Sequence, residues 1–426
     1  MTQNTPTPAM PGSSGSSANS GSSGLSSIVC VSTVKQCIVE PLNPADGGEF
    51  IAQAILSAQQ SIWLEVYLLT HSHVINALAQ AAAPDPATGL KKDIRIILEQ
   101  WAYPFSATPP GGASSGVTAL PPAPASPAHT VAHTDSATFA GNATSYQMPT
   151  YQMVKQQLNA AGIEVRANST PLIRGGKTHA KYMLIDGHTA YIMTANLTTD
   201  SIGSPAAHGN PYAARNREYI VIDEDPGRLS TLKAIFSADW DANAPRFDAS
   251  QLQSSALVVS PSANNQGNAS SIVMQLLQQA QSSLMIEMEE IHELPAPGVI
   301  EQALMDAVAR NVQVQVILPS NPMSGKATTQ DDLNALTAGK VQIRTSQQPI
   351  MHAKMILVDA QYATDAAGNQ QVTGGIAFIG SQNLTTAGLN QSREVGIMVS
   401  DTNMLTLLWQ SFQLDWAHSQ PLTATS

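Results

Sequence analysis

The sequence predicts an α/β protein of two pseudo-symmetric lobes, each a mixed β-sheet flanked by helices. Apolar runs of strand length alternate with amphipathic stretches of helix length, which is the pattern of β–α–β units. The same order of elements then occurs a second time, so the chain contains an internal duplication. Each unit is far longer than the roughly 20–50 residues of a solenoid repeat, and two fused lobes are therefore expected.

The 426 residues suffice for two domains. Residues 1–45 are predicted to be a low-complexity leader, rich in Ser, Gly and Pro, that ends in a first strand at about 28–39. Residues 46–245 are predicted to form the first lobe and residues 246–426 the second. If the halves pack about a pseudo-two-fold axis, one chain supplies both halves of a site, so a monomer is expected.

The predicted first lobe contains one long interruption. Residues 104–150 are rich in Pro, Ala, Gly, Ser and Thr, so this segment is either disordered or a loop that covers something. His129 and His133 lie in it with no apolar periodicity around them, and no functional role is expected for them. The elements predicted around it are helices at 49–58, 73–83 and 151–161, strands at 61–70, 93–101, 163–167, 178–186, 190–198 and 216–223, and a last helix that ends at 236–240.

The predicted second lobe repeats this plan. Residues 360–373 are an Ala-, Gly- and Gln-rich insertion, which predicts an extended hairpin. Trp240 and Trp416 close the two matched halves and are expected to pack in the core. The matched segments are 272–291 with 49–70, 299–319 with 73–101, 341–345 with 163–167, 351–359 with 178–186, 374–385 with 190–198, 392–399 with 216–223 and 412–416 with 236–240.

The charge balance bears on the partners of the protein. The net charge is −11, the pI is about 5.3 and only 20 residues are Lys or Arg, whereas a groove for long nucleic acid carries a basic excess. Nucleic acid is therefore not the expected partner, although a local basic patch could hide inside the acidic total. No apolar run reaches the roughly 18–20 residues of a membrane-spanning helix, so a soluble protein is expected.

Two features bear on the cellular compartment. The first residues lack the basic start and the apolar stretch of an intact secretory signal, yet they could be what remains after a signal was removed. Cys30 and Cys37 either close a small disulfide in an oxidising compartment or remain free thiols. A secreted or periplasmic protein is expected, with a cytoplasmic protein as the alternative.

One phrase occurs in both halves at matched positions, namely His-x-Lys followed by four residues and Asp. Its residues are His179, Lys181 and Asp186 in the first lobe and His352, Lys354 and Asp359 in the second. Alternate side chains of a strand share a face, so each imidazole lies beside an ammonium, which suits an anionic centre such as phosphate. A single match is weak, but two matches in the same repeat position predict a site.

Each phrase is followed by a hydroxyl residue, an amide and a carboxylate. They are Thr194, Asn196 and Glu218 in the first lobe and Ser381, Asn383 and Glu394 in the second. The amides and lysines would hold phosphate oxygens, the hydroxyls would add a donor or support the turn, and each Glu would orient a histidine. Asp186 and Asp359 are counted as catalytic, with turn capping as the alternative. Glu65 and Glu287 are left outside the site as members of a buried network.

The chemistry follows from this inventory. Neutral histidine is a good nucleophile and protonated histidine a good acid, so two of them can divide the work on a phosphodiester. One would attack phosphorus to form a phosphohistidine. The other would protonate the leaving oxygen and then activate water or another alcohol. Because two lysines supply the positive charge, no metal and no cofactor are expected.

The two phrases, with Gly380-Ser381-Gln382-Asn383 and a Glu beyond, resemble the phospholipase D superfamily over roughly residues 46–418. The resemblance implies a two-lobed phospholipase D-like fold with a shared active site. It implies His179 as nucleophile, His352 as general acid, and phosphate binding by Lys181, Lys354, Asn196 and Asn383. The first lobe departs from the pattern with Met193 in place of Gly, which is expected to narrow the pocket or change the turn.

The expected function is that of a phospholipase D-type phosphodiesterase, which hydrolyses phospholipid headgroups at a membrane surface or transfers the phosphatidyl group to another alcohol. The alternative is a metal-independent endonuclease of the same superfamily, and a protein that only binds is a third reading. A membrane-anchored cardiolipin synthase is disfavoured because no transmembrane segment precedes the lobes in this sequence.

Overall fold

The computed structural model describes residues 28–40, 47–102, 149–170, 172, 176–203, 216–253, 255–262, 266–293, 295–320, 328–365 and 367–422. The greater part of the leader and nearly all of the predicted 104–150 loop, with His129 and His133, lie outside the described residues. The described chain forms two mixed eight-stranded sheets flanked by helices, which confirms the predicted α/β class. None of the helices in these ranges combines the length and apolar composition that a membrane crossing requires.

The first lobe is built around β–α–β units. Its elements are β1 (Gln36–Glu40), α1 (Gly47–Ser57), β2 (Ser61–Val66), α2 (Ser72–Ala81), β3 (Asp93–Leu98), α3 (Tyr151–Ala160), β4 (Glu164–Arg166), β5 (Lys181–Ile185), β6 (Thr189–Met193), α4 (Thr199–Ile202), β7 (Asn216–Asp223) and α5 (Pro226–Trp240). The strand order is β1-β7-β6-β5-β2-β3-β4. Strands β2, β3 and β4 are parallel, as the helical crossovers require, whereas β5 runs antiparallel to β2.

The second lobe repeats this order. Its elements are β8 (Leu257–Ser260), α6 (Ala269–Gln279), β9 (Ser283–Met288), β10 (Ile291–His292), α7 (Val299–Ala309), β11 (Gln313–Pro319), α8 (Gln330–Ala338), β12 (Gln342–Ser346), β13 (Ile350–Met351), β14 (Lys354–Thr364), β15 (Gln370–Gly380), β16 (Leu384–Thr385), α9 (Thr386–Asn390), β17 (Glu394–Val399), α10 (Thr402–His418) and β18 (Gln420–Pro421). The strand order is β18-β12-β11-β9-β14-β15-β17-β8, and β14 and β15 form the extended hairpin that the 360–373 insertion predicts.

Short backbone pairings join the two lobes beside the repeated phrases. Strand β13 runs parallel to β7 of the first lobe, with Met351 opposite Arg217. The reciprocal contact joins the first phrase to the second lobe, because Thr178 forms a parallel bridge with Arg393, the residue before β17. The residues just before each His-x-Lys pair therefore lie against the Arg-Glu strand of the other lobe.

Two buried ion pairs cross the same interface. The guanidinium of Arg217 lies 2.5 Å from the Asp415 carboxylate at the end of α10. In the matched pair, Arg393 lies 2.7 Å from Asp239 at the end of α5. All four side chains are almost completely buried, so each charge depends on its partner in the other lobe. From the sequence, only the tryptophans beside these aspartates, Trp240 and Trp416, were predicted to have a role at the helix ends.

The segment before β1 also contacts both lobes. β1 pairs with β7, while Val31 bonds to the backbone of Met398 and Ser400 in the second lobe. Cys30 and Cys37 are free thiols, and burial raises the pKa of Cys30 to about 11 and that of Cys37 to about 12. Both therefore stay protonated near neutral pH, and of the two predicted alternatives the structure has the free thiols.

Breaking one crossed ion pair should destabilise the fold strongly. Asp415→Asn leaves the Arg217 guanidinium buried without a counterion, and we expect a loss of about 3–5 kcal/mol in the free energy of unfolding. Glu164→Gln is the control, because it removes an exposed partner of Arg166 and should cost less than about 1 kcal/mol. Urea unfolding measures both variants, and equal losses would contradict the assignment.

Candidate active site

The two His-x-Lys pairs lie at the lobe interface, where β5 and β14 begin. The amide N–H of His179 donates to the carbonyl of Arg393 at 2.8 Å, which fixes this end of the first phrase against β17. His179 and His352 are each only 5% exposed. Burial lowers the pKa of His179, and the charges of Lys354 and His352 from the second phrase lower it further. The two phrases therefore act on each other electrostatically.

Each histidine is held by a glutamate from the opposite lobe. Nδ1 of His179 lies 2.9 Å from both carboxylate oxygens of Glu394. Nδ1 of His352 lies 2.6 Å from Glu218. Both glutamates are buried, and both follow the arginines that cross the interface. A carboxylate at Nδ1 fixes the orientation of each ring and leaves Nε2 for chemistry.

The two hydroxyl residues support these glutamates. Thr194 Oγ1 donates to Glu218 at 2.5 Å and accepts from the N–H of Tyr219 at 2.9 Å. Ser381 takes the matched place beside Glu394, where it helps to lower the pKa of that carboxyl against the larger effect of burial, which raises it. Its hydroxyl donates to the carbonyl of Val395 at 3.3 Å and accepts from the N–H of Val395 at 3.1 Å. Both side chains are fully buried, so the structure gives them a positioning role in place of the predicted substrate contact.

Both lysines are buried and oriented by their own phrase. Lys181 Nζ donates to the carbonyl of His179 at 2.8 Å, and Lys354 Nζ to that of His352 at 2.6 Å. Burial, together with the nearby charge of Lys354, lowers the pKa of Lys181 to about 7. An arriving anion would therefore restore the full charge of Lys181, because an opposite charge favours the ammonium form.

The two predicted amides are both buried, and Asn383 contacts the cluster. Asn383 donates to the Glu289 carboxylate at 3.1 Å. The side-chain oxygens of Asn196 and Asn383 are buried without a hydrogen-bond partner among the described residues. A buried polar atom of this kind is typical of a site that awaits a ligand or an ordered water.

Asp186 and Asp359 lie apart from this cluster, Asp186 directly after β5 and Asp359 in the middle of β14, where the pairing with β15 shifts register. The Asp186 carboxylate accepts from the backbone N–H groups of Gln59, Gln60 and Ser61 at 2.6–2.8 Å. Asp359 does the same with residues 281–283 at the start of β9. Both have positive φ angles, 52° and 50°, which Asp tolerates in turns. These bonds match turn capping, which was the alternative prediction for both residues.

Glu65 and Glu287 belong to the buried network, as the sequence analysis assumed. Glu65 accepts from the hydroxyl of Tyr182 at 2.8 Å. Glu287 accepts from the hydroxyl of Tyr219 across the lobe interface at 2.5 Å. Burial raises the pKa of Glu287 to about 8. Among the described residues, the hydrogen-bond donors to these carboxylates are Tyr182 and Asn168 for Glu65 and Tyr219 for Glu287, so both serve the packing beneath the site.

Three residues of the cluster were missed in the sequence. Glu289 lies 2.6 Å from Lys354, the Tyr67 ring packs edge-on against His179 with centroids 4.8 Å apart, and Lys177 lies 4.6 Å from the Tyr67 ring. Tyr67 and Glu289 follow the matched Glu65 and Glu287 by two residues, which is the one signal that could have found them. Because one is a tyrosine and the other a glutamate, comparison of the two repeats did not identify them as a matched pair.

Burial and charge set the protonation of the first half-site. Burial, and next the charge of Lys181, lower the pKa of His179 well below its ordinary value. Burial raises the pKa of Glu394 to about 8. Burial alone would also raise the pKa of Glu218, but His352 and Lys354 hold it below its ordinary value. His179 is thus neutral near pH 7, because a buried imidazole beside three lysines resists a further positive charge.

Met193 does not change the turn that the Gly-Ser-x-Asn pattern makes. Thr194 N–H bonds the carbonyl of Tyr219 at 3.0 Å, as Ser381 N–H bonds that of Val395 at 3.1 Å. In the second lobe, a Cβ on Gly380 would lie 2.4 Å from Gln382, which fills the space there. Met193 is fully buried in the core of the first lobe, where Ala195 replaces that Gln. The expectation of a changed turn is therefore wrong.

Comparison with known proteins places the chain in a family. A family model described as "Cardiolipin synthase, PLD-like domain" matches residues 51–240 and 273–416, which is most of the chain. The chain therefore belongs to this family of the phospholipase D superfamily, as its repeated phrases indicated.

Individual relatives are distant. "Probable cardiolipin synthase YwiE" of Bacillus subtilis (strain 168) is 21% identical over 260 residues, which cover 58% of this chain and 47% of that protein. The chain thus spans about half the length of this curated relative. The phosphatidylserine synthase structure from Haemophilus influenzae Rd KW20 aligns with a TM-score of 0.54 and 12% identity over 92% of this chain and 89% of that chain. Nuc from Salmonella typhimurium, a phospholipase D family member, aligns with a TM-score of 0.31 and 19% identity over 39% of this chain and 97% of that chain.

Removing a turn cap should affect stability and not chemistry. Asp186→Ala deprives three N–H groups of their acceptor, and we expect a loss of about 1–2 kcal/mol, typical of a cap. Turnover of a chromogenic phosphodiester, measured well below the unfolding temperature, should stay within about threefold of the wild type, because Asp186 has no contact with the cluster. A loss above about tenfold in a folded variant would return Asp186 to the catalytic set.

Proposed function

We propose that the protein cleaves the phosphodiester bond of a phospholipid through a phosphohistidine and passes the phosphatidyl group to water or to another alcohol. One observation carries this proposal, namely the two buried histidines, each held at Nδ1 by a glutamate of the other lobe. With both Nδ1 atoms engaged, Nε2 is the nitrogen of each ring that this proposal directs at the phosphorus atom. That arrangement suits a nucleophile and an acid that act on one phosphorus atom.

His179 is the proposed nucleophile. Its lowered pKa keeps the ring neutral, and the contact with Glu394 selects the tautomer with the proton on Nδ1. The lone pair is then on Nε2, which is what attack on phosphorus requires. The same choice was implied by family resemblance, and the surroundings of His179 support it independently.

His352 is the proposed general acid. Its Nδ1 lies 2.6 Å from Glu218 and its Nε2 lies 3.6 Å from Glu289, so a carboxylate faces each ring nitrogen. At 3.6 Å the contact between Nε2 and Glu289 is longer than a hydrogen bond, so Nε2 is not committed to Glu289, and the proposal assigns to it the proton that the leaving oxygen needs. The two histidines thus lie in different electrostatic surroundings, although their sequence phrases are equivalent.

The steps balance with these two groups. His179 Nε2 forms a bond to phosphorus, and the bond from phosphorus to the headgroup oxygen breaks as His352 gives its Nε2 proton to that oxygen. The headgroup alcohol leaves. Water or a second alcohol then gives a proton to His352 and attacks phosphorus, and the bond to His179 breaks. Water yields a phosphatidic acid, and an alcohol yields a new phospholipid.

Lys181, Lys354, Asn196 and Asn383 are proposed to hold the non-bridging phosphate oxygens. Each lysine uses one of its three donors on a histidine carbonyl, and Lys354 uses a second on Glu289, so each keeps at least one donor for the ligand. Ammonium groups in a water-poor cluster stabilise developing charge far more than they would in water. These residues supply the positive charge from the protein's own side chains.

The choice of a phospholipid as substrate rests on composition and on the family. The acidic net charge of −11 disfavours a long nucleic acid. The matching family description and the curated relative both name a cardiolipin synthase, which supports phosphatidyl transfer to an alcohol beside hydrolysis. The predicted lobe boundaries, the predicted monomer and the secreted or periplasmic location stay predictions.

Substitution of either histidine should abolish turnover, His179→Ala because the nucleophile is lost and His352→Ala because the general acid is lost. We expect His179→Ala and His352→Ala each to lower kcat for phosphatidylcholine by about 10³-fold or more, with EDTA present. After a quench in denaturant at alkaline pH, where a phosphohistidine survives, a phosphatidyl adduct should be found on His179. With a p-nitrophenyl ester, whose leaving group needs no acid, the adduct should accumulate in His352→Asn, where its breakdown lacks a base. A parallel assay with plasmid DNA serves as the substrate control. Nicked plasmid with intact lipid would favour the endonuclease, and full activity in both alanine variants would overturn the shared site.

The pH profile of kcat/KM should be bell-shaped with an optimum at about pH 7–8. On the acid side, Glu394, with a pKa of about 8, becomes protonated and no longer accepts the Nδ1 proton of His179. On the basic side, Lys181, with a pKa of about 7, loses the charge that binds phosphate. Initial rates from about pH 5 to about pH 10 test this. Glu394→Gln should flatten the acid limb, and an unchanged acid limb would exclude Glu394 as its source.

A further inference from the structure

Glu289 occupies the part of the second half-site where a phosphate oxygen would bind. Its Oε2 lies 2.6 Å from Lys354 Nζ and 3.6 Å from His352 Nε2, and it accepts from Asn383 at 3.1 Å. These are a cation, an imidazole and an amide, which is the donor set proposed to hold phosphate. A carboxylate oxygen and a phosphate oxygen make the same demands on such donors.

The first lobe has no matching carboxylate. Glu65 and Glu287 hold equivalent registers, opposite Tyr182 and Met355 beside the two lysines. Two residues further on, the first lobe has Tyr67 where the second has Glu289. The Tyr67 ring packs on His179 and leaves Lys181 without a carboxylate at this position. Glu289 is therefore specific to the second lobe and does not belong to the framework that both lobes share.

Glu289 is charged and able to move. His352 and Lys354 outweigh the effect of burial and hold its pKa well below the ordinary value, so Glu289 is ionised at any working pH. Its side chain is 23% exposed, whereas that of Lys354 is completely buried. The glutamate can thus turn outward while the lysine stays.

We propose that Glu289 is a specificity-determining residue, an internal competitor that a phosphate group must displace from Lys354, Asn383 and His352 before it binds. This inference rests on the proposed phosphate site and deepens it. Displacement costs binding free energy, which a ligand with further contacts can supply and a small free anion cannot. The site therefore discriminates a phosphodiester with large substituents from inorganic phosphate.

The direct test is the affinity of the full chain for inorganic phosphate, measured by titration calorimetry at about pH 7. Glu289→Gln and Glu289→Ala should each bind phosphate at least about tenfold more tightly than the wild type, because one negative charge within contact distance is gone. Glu224→Gln is the matched control, since it removes the same charge at an exposed ion pair with Lys35. It should stay within about twofold of the wild type.

A purely structural role for Glu289, as the counterion of buried Lys354, gives the opposite result. Both variants would then lose thermal stability, and their phosphate affinity would be unchanged or lower, which would overturn the proposal. Under the proposal, added phosphate raises the unfolding temperature of Glu289→Ala more than that of the wild type, because bound anion replaces the carboxylate.

Turnover of a short-chain phosphatidylcholine by the same proteins separates this inference from the proposed function. Turnover together with unchanged phosphate affinity in the variants would reject the role of Glu289 and leave the function standing. Tighter phosphate binding without turnover of any lipid would support Glu289 and reject the function. If neither the wild type nor the variants bind phosphate, both proposals fail.

Discussion

The exchange of backbone and charge between the lobes is the constraint on which the site depends. Each His-x-Lys strand begins against the Arg-Glu strand of the opposite lobe. Arg217 and Arg393 cross the interface to aspartates that end α10 and α5, and the glutamates beside them reach the histidines. Because a buried guanidinium without its counterion costs several kcal/mol, the ion pairs fix the position of one lobe relative to the other. This fixed arrangement brings the two half-sites together into one site.

Burial gives this cluster its chemistry. In water, His179 and Lys181 would differ by several pKa units, but in the interface they lose positive charge in the same range, near and below pH 7. Like charges packed together resist further protonation, so His179 stays neutral beside Lys177 and Lys181. A phosphate anion would relieve that repulsion. Repulsion between these buried positive charges therefore favours the binding of an anion at the free site.

The two lobes share a common framework and differ at two positions beside the histidines and lysines. The capping aspartates, the buried glutamates and the histidine–glutamate pairs are the same in both lobes, because they maintain the sheet and the interface. The pair Tyr67 and Glu289 is different, and both side chains lie against the catalytic phrases. Chemistry that assigns one nucleophile and one acid needs unequal surroundings, and these two positions supply them.

The sequence by itself determined the α/β class and the duplication, and it predicted the histidines, lysines and amides of the site. These follow from periodicity and residue type, which are local and repeated. It also left Asp186 open between catalysis and capping and Thr194 open between a donor to substrate and a support of the turn, and it did not identify Glu289. Only the tertiary structure decided those roles, and the crossed histidine–glutamate pairs with them. The reason is that a distance across an interface, and the burial that shifts a pKa, exist only once the two lobes have packed.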